Sequence, residues 1–368
     1  MAGLDPAIHA VPRTQNVQIQ NAPVTQNHAP AFMIPEPQAG QRRPALLLSR
    51  YAEALFWLGR YMERIENLAR ILDVTDTFVR HGVDQSGWRS VIQINADEER
   101  FTERYGAANA ETVAQFYLVD RDNPTSILSS LFAARENART LRPLIPTEMW
   151  SQINIFYNHV RGLTEADAAA SRVSGLCAYF KEQCQAHAGI TDGTFYRDQS
   201  FAFYSIGKYL ERGDQTSRLV DIKYHTLLPT PDDVGSALDV SQWHAVLRAA
   251  SGYHAYRRIN PSHMTPGSVA GFLLMNQSFP RSVTLCVRQI EIYLGQLSSG
   301  YGLRGAYAAQ EHLDELRAAL MDQSIQDILA RGLHEFLDWV QLQFIGLQSA
   351  IAGSFWRKTE SSQTQRQS

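Results

Sequence analysis

Apolar residues recur at helical spacing along most of this chain. Leu55, Leu58, Met62, Ile65, Ala69 and Leu72 lie three or four positions apart. They predict a helix near 50–80 with one apolar stripe. Ser49 can cap it, although Ala52 lacks the carboxylate of a full capping box. Further helices are predicted over 126–142, 146–163, 166–187, 198–226, 241–258, 266–276, 281–298, 306–319, 323–331 and 334–355. Asn123-Pro124 and Thr265-Pro266 read as helix starts, with proline at the first helical position. Residues 85–118 leave two readings, because WRSVIQIN has the β-branched content of a strand and its neighbours read helical. No succession of alternating strands occurs, so the expected class is all-α, a bundle of antiparallel helices.

The pattern fails at both ends. Residues 1–44 have no apolar period, and Pro23, Pro30, Pro35, Pro37 and Pro44 break any helix. A disordered tail is expected there. Its opening, MAGLDPAIHAV, resembles the starts of unrelated predicted bacterial proteins and reads as a gene-start artefact. Residues 357–368 are polar and are expected to be a second disordered tail. The helical domain is thus expected over 45–356.

One charged pattern occurs twice. WLGRYMERIENLARILD at 57–73 returns as SIGKYLERGDQTSRLVD at 205–221. The offset is constant, 212 − 64 = 148 and 218 − 70 = 148. Gly59, Tyr61, Glu63, Arg64, Arg70 and Asp73 recur as Gly207, Tyr209, Glu211, Arg212, Arg218 and Asp221. Arg60 becomes Lys208 and Glu66 becomes Asp214, so the charges persist. Such a recurrence predicts an internally duplicated helical unit, with repeat helices near 50–80 and 198–226.

At 100° per residue, Glu53, Arg60, Glu63, Arg64, Asn67 and Ile71 fall near one side of the first helix, roughly opposite the apolar stripe. Three readings stay open. The charges form a solvated face, with i,i+4 pairs such as Glu66 to Arg70 and Asp214 to Arg218. Or the two stripes face each other, with arginine forks satisfying carboxylates across the interface. Or they line a polar pocket for an anionic or peptide-like ligand. The candidate binding residues are then Arg60, Glu63, Arg64, Asn67, Arg70, Lys208, Glu211, Arg212 and Arg218. A looser stripe at 133–150 adds Arg135, Glu136, Asn137 and Arg139, with Arg142 beside them, and three such helices are expected to converge on one centre.

The formal charge of −3 and pI near 6.4 argue against a general nucleic-acid binder. Three cysteines are too few for a disulfide framework and fit a reducing compartment. No apolar run reaches a membrane span, and no secretory leader is visible, so a cytoplasmic protein without membrane contact is expected.

Four segments carry a family resemblance: LSRYAEALFWLGRYMERIENLARILD, NPTSILSSLFAARENARTLRPLIPTEMWSQIN, SFAFYSIGKYLERGDQTSRLVD and VAGFLLMNQSFPRSV. In this order they resemble the bacterial alpha-E domain family, a helical domain with a Glu-Arg motif, over nearly all of 47–355. Two positions depart from it. Lys208 stands where arginine is common and loses the bidentate fork. Gly213 follows the second Glu-Arg pair and weakens the helix there. The resemblance implies partners, namely a circularly permuted ATP-grasp protein and a transglutaminase-like peptidase. It implies a non-catalytic partner or scaffold in ATP-grasp-linked peptide or amide-bond synthesis. Alternatives are an enzyme of peptide modification or amide-bond formation that uses paired carboxylates such as Glu63 and Glu211, and a component of a proteasome-like peptide-turnover cluster.

Other chemistry is weakly signalled, and no cofactor or metal is expected. Gly300 to Gly305 spells G-x-G-x-x-G, but Val283, Val287, Ile290, Leu294 and Leu297 predict a helix before it, where a dinucleotide site needs a strand. His334-Glu335 with Asp338 is half a zinc-peptidase motif without its second histidine. Cys177 and Cys184 share a helix side and read as core.

Overall fold

The computed structural model describes residues 47–80, 87–226, 237–261, 264–303 and 307–356. The readings on 1–44 and 357–368 lie outside the described residues. The first half contains α1 (Ser49–Arg80), α2 (Gly87–Ile94), α3 (Glu98–Tyr105), α4 (Ala110–Ala114), α5 (Ile127–Thr140), α6 (Thr147–Val160) and α7 (Val173–Thr194). The second contains α8 (Gln199–Thr226), α9 (Ala237–Ala249), α10 (Tyr253–Ile259), α11 (Pro266–Met275), α12 (Val283–Gly295), α13 (Tyr307–Met321), α14 (Ile325–Arg331) and α15 (Leu333–Phe355). No strand occurs among the described residues, and the fold is all-α.

The stretch that left two readings is helical. Trp88, Val91 and Ile92 are buried at i, i+3 and i+4, and α2 presents that face to α1 and α8. The run predicted over 241–258 is broken in two. Ser251 adopts φ 57° and caps α9, with Gly252 N donating to Leu247 O and Ser251 N to Arg248 O. These two bonds make a Schellman ending. α7 begins later than the spacing predicts, because Thr164 and Asp167 first cap a short 3-10 turn at Glu165–Ala168.

The helices are organised around two central ones. α1 packs against α8, α5 and α7, and α6 bridges α5 and α7. α8 packs against α1, α12 and α15, and α13 bridges α12 and α15. Each central helix thus carries a group of three. α1 is consequently buried on its charged side as well as along its apolar stripe: Arg60, Glu63, Glu66 and Asn67 are buried, as are Leu58 and Met62.

α1 and α8 touch at two glycines. A Cβ on Gly59 would overlap the carbonyl of Tyr204, and one on Gly207 would overlap the carbonyl of Phe56. Only glycine lets the backbones approach this closely. Gly213, which costs about 1 kcal/mol of helix propensity against alanine, opens the space taken by the Phe344 ring. Both helices also anchor an aspartate at their far ends. Asp73 accepts from Ser174 Oγ (2.8 Å) and Lys181 Nζ (2.6 Å) of α7. Asp221 accepts from His334 Nδ1 (2.7 Å) and Gln341 Nε2 (3.4 Å) of α15. These partners share one offset, 334 − 174 = 160 and 341 − 181 = 160.

Candidate functional site

One turn beyond the glycine contact, the two Glu-Arg pairs meet reciprocally. Arg212 of α8 grips Glu63 of α1 through Nε (2.8 Å) and Nη2 (2.7 Å). Arg64 of α1 grips Glu211 of α8 through Nε (2.7 Å) and Nη2 (3.1 Å). Each carboxylate takes a second guanidinium. Glu211 accepts from Arg60 Nε at 2.6 Å, and Glu63 accepts from Arg281 Nη1 at 2.7 Å. Both glutamates are buried, at 4% and 1% exposure. Glycines at the contact bring the helices close enough for these forks to span the gap, and the i, i+4 step from Gly59 and Gly207 turns Glu63 and Glu211 toward the partner helix.

Outside this centre sit two i,i+4 pairs. Glu66 accepts from Arg70 Nε (3.0 Å) and Nη2 (2.5 Å), and Asp214 accepts from Arg218 Nε at 3.1 and 3.0 Å. Of the three readings left open by the sequence, the packed-stripe geometry is present and the solvated face is not.

Burial alone would push the Glu63 and Glu211 carboxyls up. Arg212 and Arg281 outweigh it at Glu63 and hold that carboxyl far below the usual range. Arg60 and Arg64 hold Glu211 down at about 2. Burial pushes the Asp214 carboxyl above its ordinary value in spite of Arg218. Lys208 is lowered to about 8 by burial and then by repulsion from Arg212. It has no hydrogen-bond or ion-pair partner among the described residues and rests over the Tyr209 ring at 5.0 Å. His187, brought down to about 3 by burial and by Lys208, is a neutral ring hydrogen-bonded to Tyr204 Oη at 3.0 Å.

Two Glu-Arg pairs locked across one crossing are the deciding feature, and the comparison agrees. The family described as "Alpha-E: a predicted alpha-helical domain with a conserved ER motif" matches residues 47–356. This chain belongs to the Alpha-E family. Similar proteins include an uncharacterised protein of Mycobacterium bovis and uncharacterised proteins from two strains of Mycobacterium tuberculosis. Each is 24% identical over 363 residues, which covers 89% of this chain and 39% of the relative. The chain therefore spans about two fifths of the length of these relatives. No solved structure matches it.

The Alpha-E site gathers Arg60, Glu63, Arg64, Asn67, Glu211 and Arg212 directly, flanked by Arg70, Lys208 and Arg218. It does not gather the α5 stripe. Arg135 donates to Asn154 Oδ1 (2.8 Å) and Glu136 Oε1 (2.9 Å) and lies over Tyr157, on the α6 side of its helix. Arg139 pairs with Glu136 at 2.5 Å near solvent. The expected convergence of three charged helices is corrected to two, because α5 turns small apolar residues, Ala134 and Ala138 among them, into the core. Asn137, half-buried on α5, has no hydrogen bond to the crossing.

Sequence reading missed Arg281. It lies in the turn before α12 and reaches α1, where Nη1 also donates to Asn67 Oδ1 (2.6 Å) and Nη2 to Glu66 (2.9 Å). A signal existed in the Pro-x-Ser sequence shared by Pro280-Arg281-Ser282 and Pro124-Thr125-Ser126. Each serine caps the helix that follows, Ser282 to Leu285 N and Ser126 to Ser129 N.

In the half zinc motif, His334 sits between two aspartates. His334 donates Nδ1 to Asp221, and its Nε2 lies 3.4 Å from Asp338. These three side chains are close enough together to share a cation, and the hydrogen bond that His334 donates to Asp221 raises the imidazole pKa. Cys177, Cys184 and Cys286 are free and buried, and burial pushes each thiol up. No described helix is long and apolar enough to cross a membrane.

Proposed function

We propose that this Alpha-E chain is a non-catalytic helical partner in an ATP-grasp-linked peptide or amide-bond synthesis system of the cytoplasm. Its expected partners are a circularly permuted ATP-grasp protein and a transglutaminase-like peptidase. The supporting observation is the state of the two motif glutamates. Each accepts two guanidiniums and stays ionised well below neutral pH, so neither is free to take a proton from a substrate amine. That weighs against the enzyme reading built on Glu63 and Glu211. The length of the relatives is compatible with a partner role, since more than half of each lies outside the matched segment.

The test is co-expression with a circularly permuted ATP-grasp protein, followed by affinity purification and assays of ATP hydrolysis and amide formation. The chain is expected to co-purify, to be inactive alone and to change the turnover of the ligase. Amide-bond formation by the isolated chain, lost in Glu63→Gln or Glu211→Gln, would replace this reading with the enzyme one.

A further inference from the structure

The two sides of the crossing are filled differently. On the Glu63 side, the turn before α12 inserts Arg281, whose guanidinium spans Glu63, Glu66 and Asn67. On the Glu211 side, the residues at the same offset are Glu211, Asp214 and Gln215, and the matching turn residue is Thr125. Thr125 is short, and its hydroxyl is turned to Asp97 Oδ2 (2.8 Å) and Asn123 Oδ1 (2.7 Å). The space an arginine fills on one side is therefore left open on the other. It forms a cavity of about 270 Å³ whose lining includes Thr125, Glu211, Asp214, Gln215 and Gln348 with three arginines, Arg60, Arg64 and Arg218.

Charge and hydrogen-bond capacity are both left over in this cavity. Its lining carries three guanidiniums against two carboxylates, Glu211 and Asp214. Arg60 uses Nε on Glu211 and Nη1 on Gln348 Oε1, which leaves Nη2. Arg64 uses Nε and Nη2 on Glu211, which leaves Nη1. Arg218 uses only Nε on Asp214, which leaves both terminal nitrogens. None of these remaining groups has a hydrogen-bond partner among the described residues. The guanidinium carbons of Arg60 and Arg64 lie over the rings of Trp57 (5.0 Å) and Tyr61 (5.8 Å), which packs both groups against aromatics and leaves these nitrogens unused.

We propose that this cavity binds the oxyanion group of a small acid, a carboxylate or a phosphate, on the open edges of Arg60, Arg64 and Arg218. Charge-assisted bonds from guanidinium edges suit both groups. An anion there would neutralise the surplus cation, while the glutamates stay occupied by their own arginines. The cavity is near the lower bound for small-molecule pockets, which fits an acid group with a short tail. The Glu63 side holds no equivalent site, because Arg281 occupies it. The pocket stands on the geometry of this chain and would exist with or without a ligase partner.

Calorimetric titration of the full chain with inorganic phosphate, trialanine and trialanine amide tests it. One site per chain is expected for phosphate or for trialanine, with no binding of the amide. Trialanine binding would assign a peptide carboxylate and phosphate binding a phosphorylated acid. Gln348→Glu changes little in shape, keeps the bond to Arg60 and removes the surplus charge. It should weaken binding by about tenfold or more while leaving the fold intact by circular dichroism. Arg218→Gln should do the same, and the exposed Arg317→Gln should not. Absence of binding by the unaltered chain to both anions, or unchanged binding in Gln348→Glu, would overturn the proposal.

Discussion

Glu211 is surrounded by cations and shielded from water, so its removal leaves charges that nothing else satisfies. Glu211→Gln should cost about 3–5 kcal/mol, the usual penalty for breaking a buried ion pair from one side. Arg64→Ala should lower the thermal midpoint well beyond the exposed control Arg317→Ala, whose side chain is half in water. Equal midpoints for these two would return the motif to a solvated face. Lys208 predicts a change in the opposite sense. Its folded pKa, about 8, lies below its ordinary 10.5, so the unfolded chain binds the extra proton between these values. Stability is penalised at neutral pH, and the penalty is relieved as pH rises from about 8 toward 10.5. Lys208→Met should therefore raise the midpoint at pH 7 and lose that advantage near pH 10 in melts across the range. An arginine at this position would bring a third fork to Glu63, which Arg212 and Arg281 already hold.

At the scale of elements, the crossing of α1 and α8 depends on Gly59 and Gly207 as much as on the charges. Gly59→Ala gains helix propensity but forces the helices apart, and overpacking costs of about 1–3 kcal/mol are expected before the three ion pairs between α1 and α8 stretch. Gly207→Ala should behave alike, whereas Gly189→Ala, where a Cβ meets nothing, should be neutral or stabilising in denaturant melts. We infer that α1 with α5, α6 and α7 and α8 with α12, α13 and α15 descend from one repeated unit. The offset of 148 along the central helices and of 160 between the side chains that hold the anchored aspartates motivates this, as do the two serine caps. Superposition of the two four-helix groups tests it, with Arg64 landing on Arg212 and Ser126 on Ser282. Unrelated environments for these residues would remove the structural content of the repeat.

At the scale of the whole molecule, helix content and the central pair were legible in the sequence. Helical spacing and a charged pattern repeated at fixed offset are local signals, and they survive without tertiary information. The limits of that reading are physical. A charged stripe looks alike whether it faces water or another helix, and only the glycines among the repeated residues hinted at a close crossing. WRSVIQIN was ambiguous because β-branched residues also suit a buried helical face. The Pro-x-Ser run marked the turn that carries Arg281 but not its target, because Glu63 lies 218 residues away in sequence. The open side of the crossing was hidden for the same reason, since it depends on Thr125 standing where the other turn carries arginine. The central claim is that the two motif glutamates are locked as carboxylates across the helix crossing. A carbon-13 NMR titration of the glutamate side chains, assigned with Glu63→Gln and Glu211→Gln, measures this directly. Neither carboxyl should take up a proton as the pH falls from 8 to 4, with Glu211 titrating only near 2. A midpoint at or above the ordinary glutamate value of 4.5 for either residue would contradict the account and leave a carboxyl free for proton transfer.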